Sequence, residues 1–223
     1  MERIGKTAVV FGPTGAVGKD VLHLLINDHR YEKIIAFSRK VIPVEHPKLH
    51  VELDSLTDLS SIEDKISGDE LFCCLGTTSR KAGSRKSFKA VDLEMPVELA
   101  KIASANKIDG FIVISSIGAG KYGRGFYLDV KTEMENGVIQ YDFNRLAIVR
   151  PSLLLANRDE FRFSEEAGKL LNTLLGWTMR GKLKKYKGIK TTDVARAMIE
   201  IMNMENPRIT WESDELPAAA NRE

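Results

Sequence analysis

The sequence predicts an α/β fold, a doubly wound parallel sheet with helices on both faces, and three observations predict it. Short apolar runs alternate with longer segments of helical period through the first 150 residues, the pattern of strands joined by helices. A glycine-rich turn, Gly12-Pro13-Thr14-Gly15-Ala16-Val17-Gly18, stands between the first run and the first helical segment. Strand-helix-strand units of this kind close through right-handed crossovers, which winds the sheet both ways from its first strand.

The strands are expected at residues 7–11, 33–37, 49–53, 71–75, 111–115 and 147–149. Between the first two, Val17, Val21, Leu24 and Leu25 recur at i, i+4, i+7 and i+8 and make one buried stripe of a helix. Pro96, Val97, Leu99, Ala100, Ile102 and Ala103 mark a long helix that begins upstream of Pro96. Beyond Arg150-Pro151 the texture changes. Residues 165–175 are amphipathic, Gly176-Trp177 interrupts them, and Thr192-Asp193 reads as the N-cap of a helix over 194–202. The tail from Pro217 has no anchoring pattern and is expected to fray.

A length of 223 residues suits one domain, with residues 1–150 as the sheet core and 151–223 as a small C-terminal lobe and tail on the substrate side. Lys and Arg number 33 against 31 Asp and Glu, a net charge of +2, which argues against a basic nucleic-acid-binding face. Hydrophobic residues at 43% and charged residues at 29% exclude disorder for the bulk of the chain. No apolar run approaches the roughly 18 residues of a membrane span. The apolar stretch after Met1 to Lys6 is short and broken by Gly12 and Pro13, unlike a signal peptide. A cytoplasmic monomer or homodimer is expected, with no membrane or nucleic-acid partner.

Cys73 and Cys74 are neighbours within an expected strand, where adjacent side chains point to opposite faces, so they read as two buried thiols. His23, His29, His46 and His50 show no metal-ligand spacing, and no metal is expected.

The glycine loop points to a dinucleotide. Gly12 permits the tight turn, Gly15 lets a pyrophosphate approach the backbone, and Gly18 lets helix and strand pack closely. The free amides of the helix N-terminus then hold the phosphates. A Walker-type loop is excluded, because its spacing needs glycine at Pro13 and a hydroxyl at Asp20. At the end of the second strand, where an NAD enzyme carries an acid for the ribose hydroxyls, the chain reads Ser38-Arg39-Lys40. Arg39 and Lys40 suit an adenosine 2′-phosphate, so the expected cofactor is NADPH.

A second constellation follows. Ser115-Ser116 ends a strand, and Tyr127 and Lys131 stand at i and i+4 on one helix face. The lysine charge favours phenolate, so Tyr127 suits the transfer of a proton, and Lys131 also suits the ribose. Ser116 is the candidate to bind the substrate oxygen, with Ser115 as the alternative.

The order of these features resembles the short-chain dehydrogenase/reductase superfamily, and within it small atypical members similar to the Tat-interacting-protein-like oxidoreductases. The resemblance covers about residues 7 to 200 and is carried by FGPTGAVGK at 11–19, SRK at 38–40, FCCLGTTSRKAG at 72–83, ISSIGA at 114–119, FYLDVKTEME at 126–135 and VRPSLLLANR at 149–158. It implies a Rossmann fold with a phosphate loop at Thr14, Gly15, Ala16 and Val17, and 2′-phosphate cations at Arg39 and Lys40. It further implies a strand end under the adenine and ribose at Leu75, Gly76 and Thr77, and an adenine-binding acid at Asp54. The catalytic pair matches Tyr127 and Lys131, Leu154 falls near the nicotinamide, and Arg162 matches another cofactor contact. The interval from Ser116 to Tyr127, 11 residues, is shorter than in extended members of the superfamily.

The implied function is an NADPH-dependent oxidoreductase acting on a small carbonyl or alcohol. Two other readings stay open: a cofactor-sensing scaffold with little turnover, and an epimerase or dehydratase with transient hydride transfer. Arg80, Lys81, Arg85 and Lys86 follow the fourth strand at its carboxyl end, where a phosphate or carboxylate can be clamped. The five cations between Arg180 and Lys187 read first as a solvated face, and Phe161, Phe163 and Trp177 first as packing residues.

Overall fold

The computed structural model describes residues 5–120, 125–155 and 186–221. Six strands appear where the apolar runs predict them, within a few residues: β1 (Lys6–Phe11), β2 (Tyr31–Ser38), β3 (Leu49–Leu53), β4 (Glu70–Cys73), β5 (Gly110–Ile114) and β6 (Arg145–Arg150). Helix α1 (Gly18–Asn27) follows the glycine loop. The short helices α2 (Ser79–Ala82) and α3 (Arg85–Lys89) follow β4, and a π-helical turn, Ala90–Glu94, leads from α3 into α4 (Met95–Ala105). Helix α5 (Phe126–Val138) lies between β5 and β6.

Beyond residue 150, β7 (Leu154–Leu155) and β8 (Ile189–Lys190) form a two-stranded ladder, followed by α6 (Thr191–Met202), β9 (Thr210–Glu212) and α7 (Leu216–Ala220). The main sheet has seven strands in the order β3-β2-β1-β4-β5-β6-β9, every pair parallel. All carboxyl ends therefore lie along one edge, and the order turns at β1, the switch point where doubly wound sheets bind ligands.

Alternation along the strands explains the two cores. Ala8 and Val10 of β1 face α1, α6 and α7, while Val9 and Phe11 face α4 and α5. Both faces are apolar, as a parallel sheet covered by helices requires. Phe11 stacks on Phe37 of β2 with ring centroids 4.6 Å apart, which packs the sheet directly beneath the glycine loop.

Three expectations change. Helix α6 starts at Thr191 with Lys190 at its N-cap and no side-chain cap, so Thr192-Asp193 is not the cap; Asp193 sits in the first turn, where the helix dipole favours it. The chain from 217 does not begin a frayed tail: α7 packs Leu216, Ala219 and Ala220 into the core. The C-terminal region also completes the sheet through β9, whose Trp211 is buried against the α6 face. The amphipathic segment 165–175 lies outside the described residues.

At the amino edge of the sheet, Glu70 is fully buried among cations. Lys6 Nζ and Arg145 Nη1 each stand 2.8 Å from its Oε1, and the Tyr31 hydroxyl donates to its other oxygen. Asn203, just past α6, donates to the Tyr31 oxygen at 3.0 Å and ties that helix to the sheet.

Cys73 and Cys74 are buried in opposite cores, so their thiols do not face one another. Burial pushes the Cys73 thiol up to about 12 and the Cys74 thiol well above its ordinary value. A disulfide reagent at about pH 8, below the unfolded thiol value near 8.5, should therefore find no fast thiol in the folded protein and both after unfolding. Because both thiols are neutral in the fold and ionise earlier when unfolded, stability should fall as pH rises from about 8.5 toward 12. Rapid labelling of the native protein would show that the β4 terminus opens locally.

Candidate active site

The glycine loop opens directly from β1, and its geometry explains its composition. Gly12 has φ +78°, and a Cβ there would lie 2.7 Å from the Cys74 carbonyl oxygen; a Cβ on Gly18 would lie 2.0 Å from the Gly12 carbonyl oxygen. A side chain at either position collides with backbone, so the loop can fold tightly against β4 only as glycine. Val17 occupies the N-cap of α1 and provides no side-chain acceptor. The helix N-terminus is thus left without a side-chain cap, as a phosphate-binding turn requires. Thr14, Gly15 and Ala16 are accessible, whereas Val17 and Gly18 are buried and serve packing with their side-chain positions. The cradle at Gly12 and the uncapped turn fit a dinucleotide pyrophosphate.

Arg39 and Lys40 are exposed at the carboxyl end of β2. Ser38 holds them in a turn, its Oγ donating to the Lys40 carbonyl at 2.7 Å and accepting from the Lys40 amide at 3.2 Å. Asp54 follows β3 on the neighbouring strand end, where its amide donates to the Ser38 carbonyl and its Oδ1 accepts from the Leu56 amide at 2.6 Å. One oxygen of that carboxylate is therefore committed to a local turn.

Strand β4 stops at Cys73, so Leu75, Gly76 and Thr77 leave the sheet as a loop. That loop is tied down by Asp92, whose Oδ2 accepts from the Thr77 amide at 2.8 Å. The other oxygen of Asp92 lies 2.8 Å from Lys131 Nζ, and both side chains are almost fully buried. Burial acts to lower the Lys131 value, but the Asp92 carboxylate, with a smaller push from Tyr127, holds the ammonium above its ordinary lysine value. Lys131 also reaches the Ile114 carbonyl at 3.4 Å. An ammonium has three donors, so one remains beyond these two contacts.

Tyr127 precedes Lys131 by one turn of α5 and is 39% exposed, against 3% for the lysine. Its ring packs against Phe88 of α3 with centroids 5.7 Å apart. Ser115 and Ser116 leave the carboxyl end of β5 beside this helix. The Ser115 hydroxyl is buried and has no hydrogen-bond partner among the described residues, and Ser116 is half-buried with a long 3.4 Å contact to the Ile117 carbonyl. The loop that carries them is pinned: the Ser115 amide donates to Val149, the Ile117 amide to Pro151 and the Gly120 amide to Thr132 Oγ1. Arg150 braces the same corner by pairing with Glu135 of α5 and Glu212 of β9.

Because the sheet is parallel throughout, the glycine loop, Arg39, Lys40, Asp54, residues 75–77 and the serines all fall along one edge, and Leu154 of β7 follows four residues past the carboxyl end of β6. Arg162, Phe161, Phe163, Trp177 and the run from Arg180 to Lys185 lie outside the described residues. Among the described residues no group of histidines, cysteines and carboxylates could hold a metal ion, and no helix is long and apolar enough to cross a membrane.

The residue that sequence reasoning missed is Asp92. The signal was present: Phe88, Asp92, Pro96, Leu99 and Ala103 are buried along one continuous helical stripe, and a lone acid within such a stripe demands a partner. The π-helical turn that contains it is a feature frequent at functional sites.

Comparison with known proteins identifies the family and the fold. A family model described as NAD(P)H-binding matches residues 12–205. Protein FMP52-1, mitochondrial, from Scheffersomyces stipitis is 33% identical over 156 residues, covering 69% of each chain. Protein HTATIP2 from Rattus norvegicus is 32% identical over 164 residues, covering 72% of this chain and 67% of its own. A solved structure of a short-chain dehydrogenase/reductase superfamily protein from Agrobacterium tumefaciens with bound NAD aligns at a TM-score of 0.68 and 16% identity, over 92% of this chain and 76% of that one; at such identity the likeness concerns the fold. The names also correct one expectation. FMP52-1 and two further FMP52 relatives are named mitochondrial, which overturns the cytoplasmic assignment. That assignment was drawn from the apolar pattern after Met1, and a cellular address is read by receptors from features that fold chemistry does not carry.

Proposed function

Since the chain belongs to the NAD(P)H-binding family and has the short-chain dehydrogenase fold, we propose that it is an NADPH-dependent oxidoreductase acting on a small carbonyl or alcohol. The observation that carries this reading is the column Tyr127, Lys131 and Asp92: a half-exposed phenol one helical turn from a buried, charge-paired ammonium at the carboxyl edge of the sheet. When bound, the cofactor supplies or accepts the hydride. Tyr127 donates or takes up the accompanying proton at its phenolic oxygen, and the third donor of Lys131 serves the ribose or the phenol. Ser116, with Ser115 as the alternative, orients the substrate oxygen. Thr14, Gly15, Ala16 and the α1 N-terminus hold the pyrophosphate, Leu75 to Thr77 run beneath the ribose, and Asp54 and Leu154 border the two ends of the nucleotide.

Loss of NADPH absorbance across a panel of aldehydes and ketones tests this directly; tight NADPH binding without oxidation on any of them would discard it. Arg39 and Lys40 support a preference for the 2′-phosphate. NADPH should bind at least about tenfold more tightly than NADH, a gap that Arg39→Ala should largely close in a fluorescence titration. Equal affinities in the unmodified protein would refute the preference.

A sensor reading is favoured by one observation, that Asp92 already neutralises Lys131, as it would a purely structural lysine. The carbonyl panel separates the two readings, since a sensor binds NADPH without consuming it.

A further inference from the structure

Between Leu75 and Val91 the chain carries Arg80, Lys81, Arg85, Lys86 and Lys89 and no acid at all. This arm folds as α2 and α3, each started by a hydroxyl cap: Thr78 accepts from the Lys81 amide and Ser84 from the Ser87 amide. Gly83, in the left-handed region at φ +72°, turns the chain sharply between them. Lys89 is neutralised by Glu133 of α5 at 2.9 Å. The other four side chains are exposed, with no carboxylate partner among the described residues.

The arm leans on the candidate active site. Phe88 is buried against Phe126 and Tyr127, with ring centroids 5.6 and 5.7 Å away. One turn earlier in α3, the Arg85 guanidinium lies 5.0 Å from the centroid of Phe126, the residue before Tyr127. Stacking on the ring orients this guanidinium and lowers the entropy it loses on binding an anion.

Sheet order distinguishes this arm from the nucleotide's own cations. Arg39 and Lys40 leave β2, on one side of β1 and its glycine loop; the arm leaves β4, on the other side, next to β5 and its serines. A dinucleotide stretched across β1 with its 2′-phosphate at Arg39 places its reactive end toward β4 and β5.

We propose that Arg80, Lys81, Arg85 and Lys86 form an anion-recognition site at the mouth of the active site, and that the substrate is a carbonyl compound bearing a carboxylate or phosphate. The assignment rests on the oxidoreductase reading for its word substrate, and on the arm alone for the anion site. A single-sign cluster beside a reactive group concentrates oppositely charged ligands and orients them, more strongly at low salt.

The test uses the full chain loaded with NADPH. Calorimetric titration with inorganic phosphate should show binding that weakens at least about tenfold in Arg85→Ala/Lys86→Ala and in Lys81→Glu/Lys86→Glu, the second pair leaving the contact of Arg85 with Phe126 in place. Turnover of 4-carboxybenzaldehyde should exceed that of its methyl ester, and this selectivity ratio should collapse in both variants and at about 0.5 M salt. No phosphate binding, or binding equal in the variants, overturns the anion site. Phosphate binding with equal turnover of acid and ester overturns its role toward substrate. Turnover of neither aldehyde counts against the oxidoreductase reading, and the phosphate titration still decides the site. Capture by vesicles of anionic lipid without phosphate binding overturns the proposal by assigning the arm to a membrane surface.

Discussion

Tyr127→Phe is expected to lower turnover by about 10²–10⁴-fold, the range lost when a positioned proton donor is removed, while NADPH binding persists. The substitution deletes one hydroxyl and keeps the ring that packs on Phe88, so α5 and the arm before it stay in place. Separate measurements of turnover and of NADPH affinity by fluorescence give the two readouts. A phenylalanine variant with full activity would remove Tyr127 from the proposed reaction and direct attention to the serines.

Asp92→Asn should be the most damaging single change to the fold near the site. The amide keeps a carbonyl oxygen for the Thr77 amide but leaves the Lys131 ammonium buried without its counter-charge. Breaking one member of a buried pair costs about 3–5 kcal/mol, which should appear as a lower denaturant midpoint at unchanged slope. Adding Lys131→Met removes the orphaned charge, so the double variant should regain part of the lost stability, an interaction that a double-mutant cycle isolates. A loss below about 1 kcal/mol, the range of exposed pairs, would mean that water reaches the pair. Asp92 is a positioning residue: it acts on the reaction through Lys131 and through the loop at Thr77, so the single variant should also raise the KM for NADPH.

Much of the fold is legible because a parallel sheet buried on both faces writes uninterrupted apolar runs, and five of its strands carry such runs, while the edge strand β3 alternates apolar and polar residues. The seventh is three residues, Thr210–Glu212, with one apolar member, too short to show a period. It forms because β6 has a free edge that pairs with it and because Trp211 finds a place in the core. Helix α7 is hidden for a similar reason: Pro217 and three alanines carry no amphipathic pattern, and α6 supplies the surface that buries Leu216.

The glycine loop could be read from its letters because its three glycines fall within seven residues after a strand; a Cβ at Gly18 would strike the Gly12 carbonyl within the loop, and one at Gly12 the Cys74 carbonyl just past β4. Tyr127 and Lys131 could be paired for an equally local reason, one helical turn. Asp92 lies 39 positions before Lys131, and their contact exists only because β4 and β5 are neighbours and the helices that follow them pack side by side.

By itself, the sequence determined the alternation of strands and helices, the glycine turn, the cations after β2 and the spacing of Tyr127 and Lys131, features written in runs and intervals of a few residues along the chain. Tertiary structure alone decided what neutralises Lys131, which strand closes the sheet and that the arm of α2 and α3 leans on Tyr127. Those are contacts between segments far apart in sequence, and they are set by which strands lie side by side and how the helices between them fill both faces of the sheet.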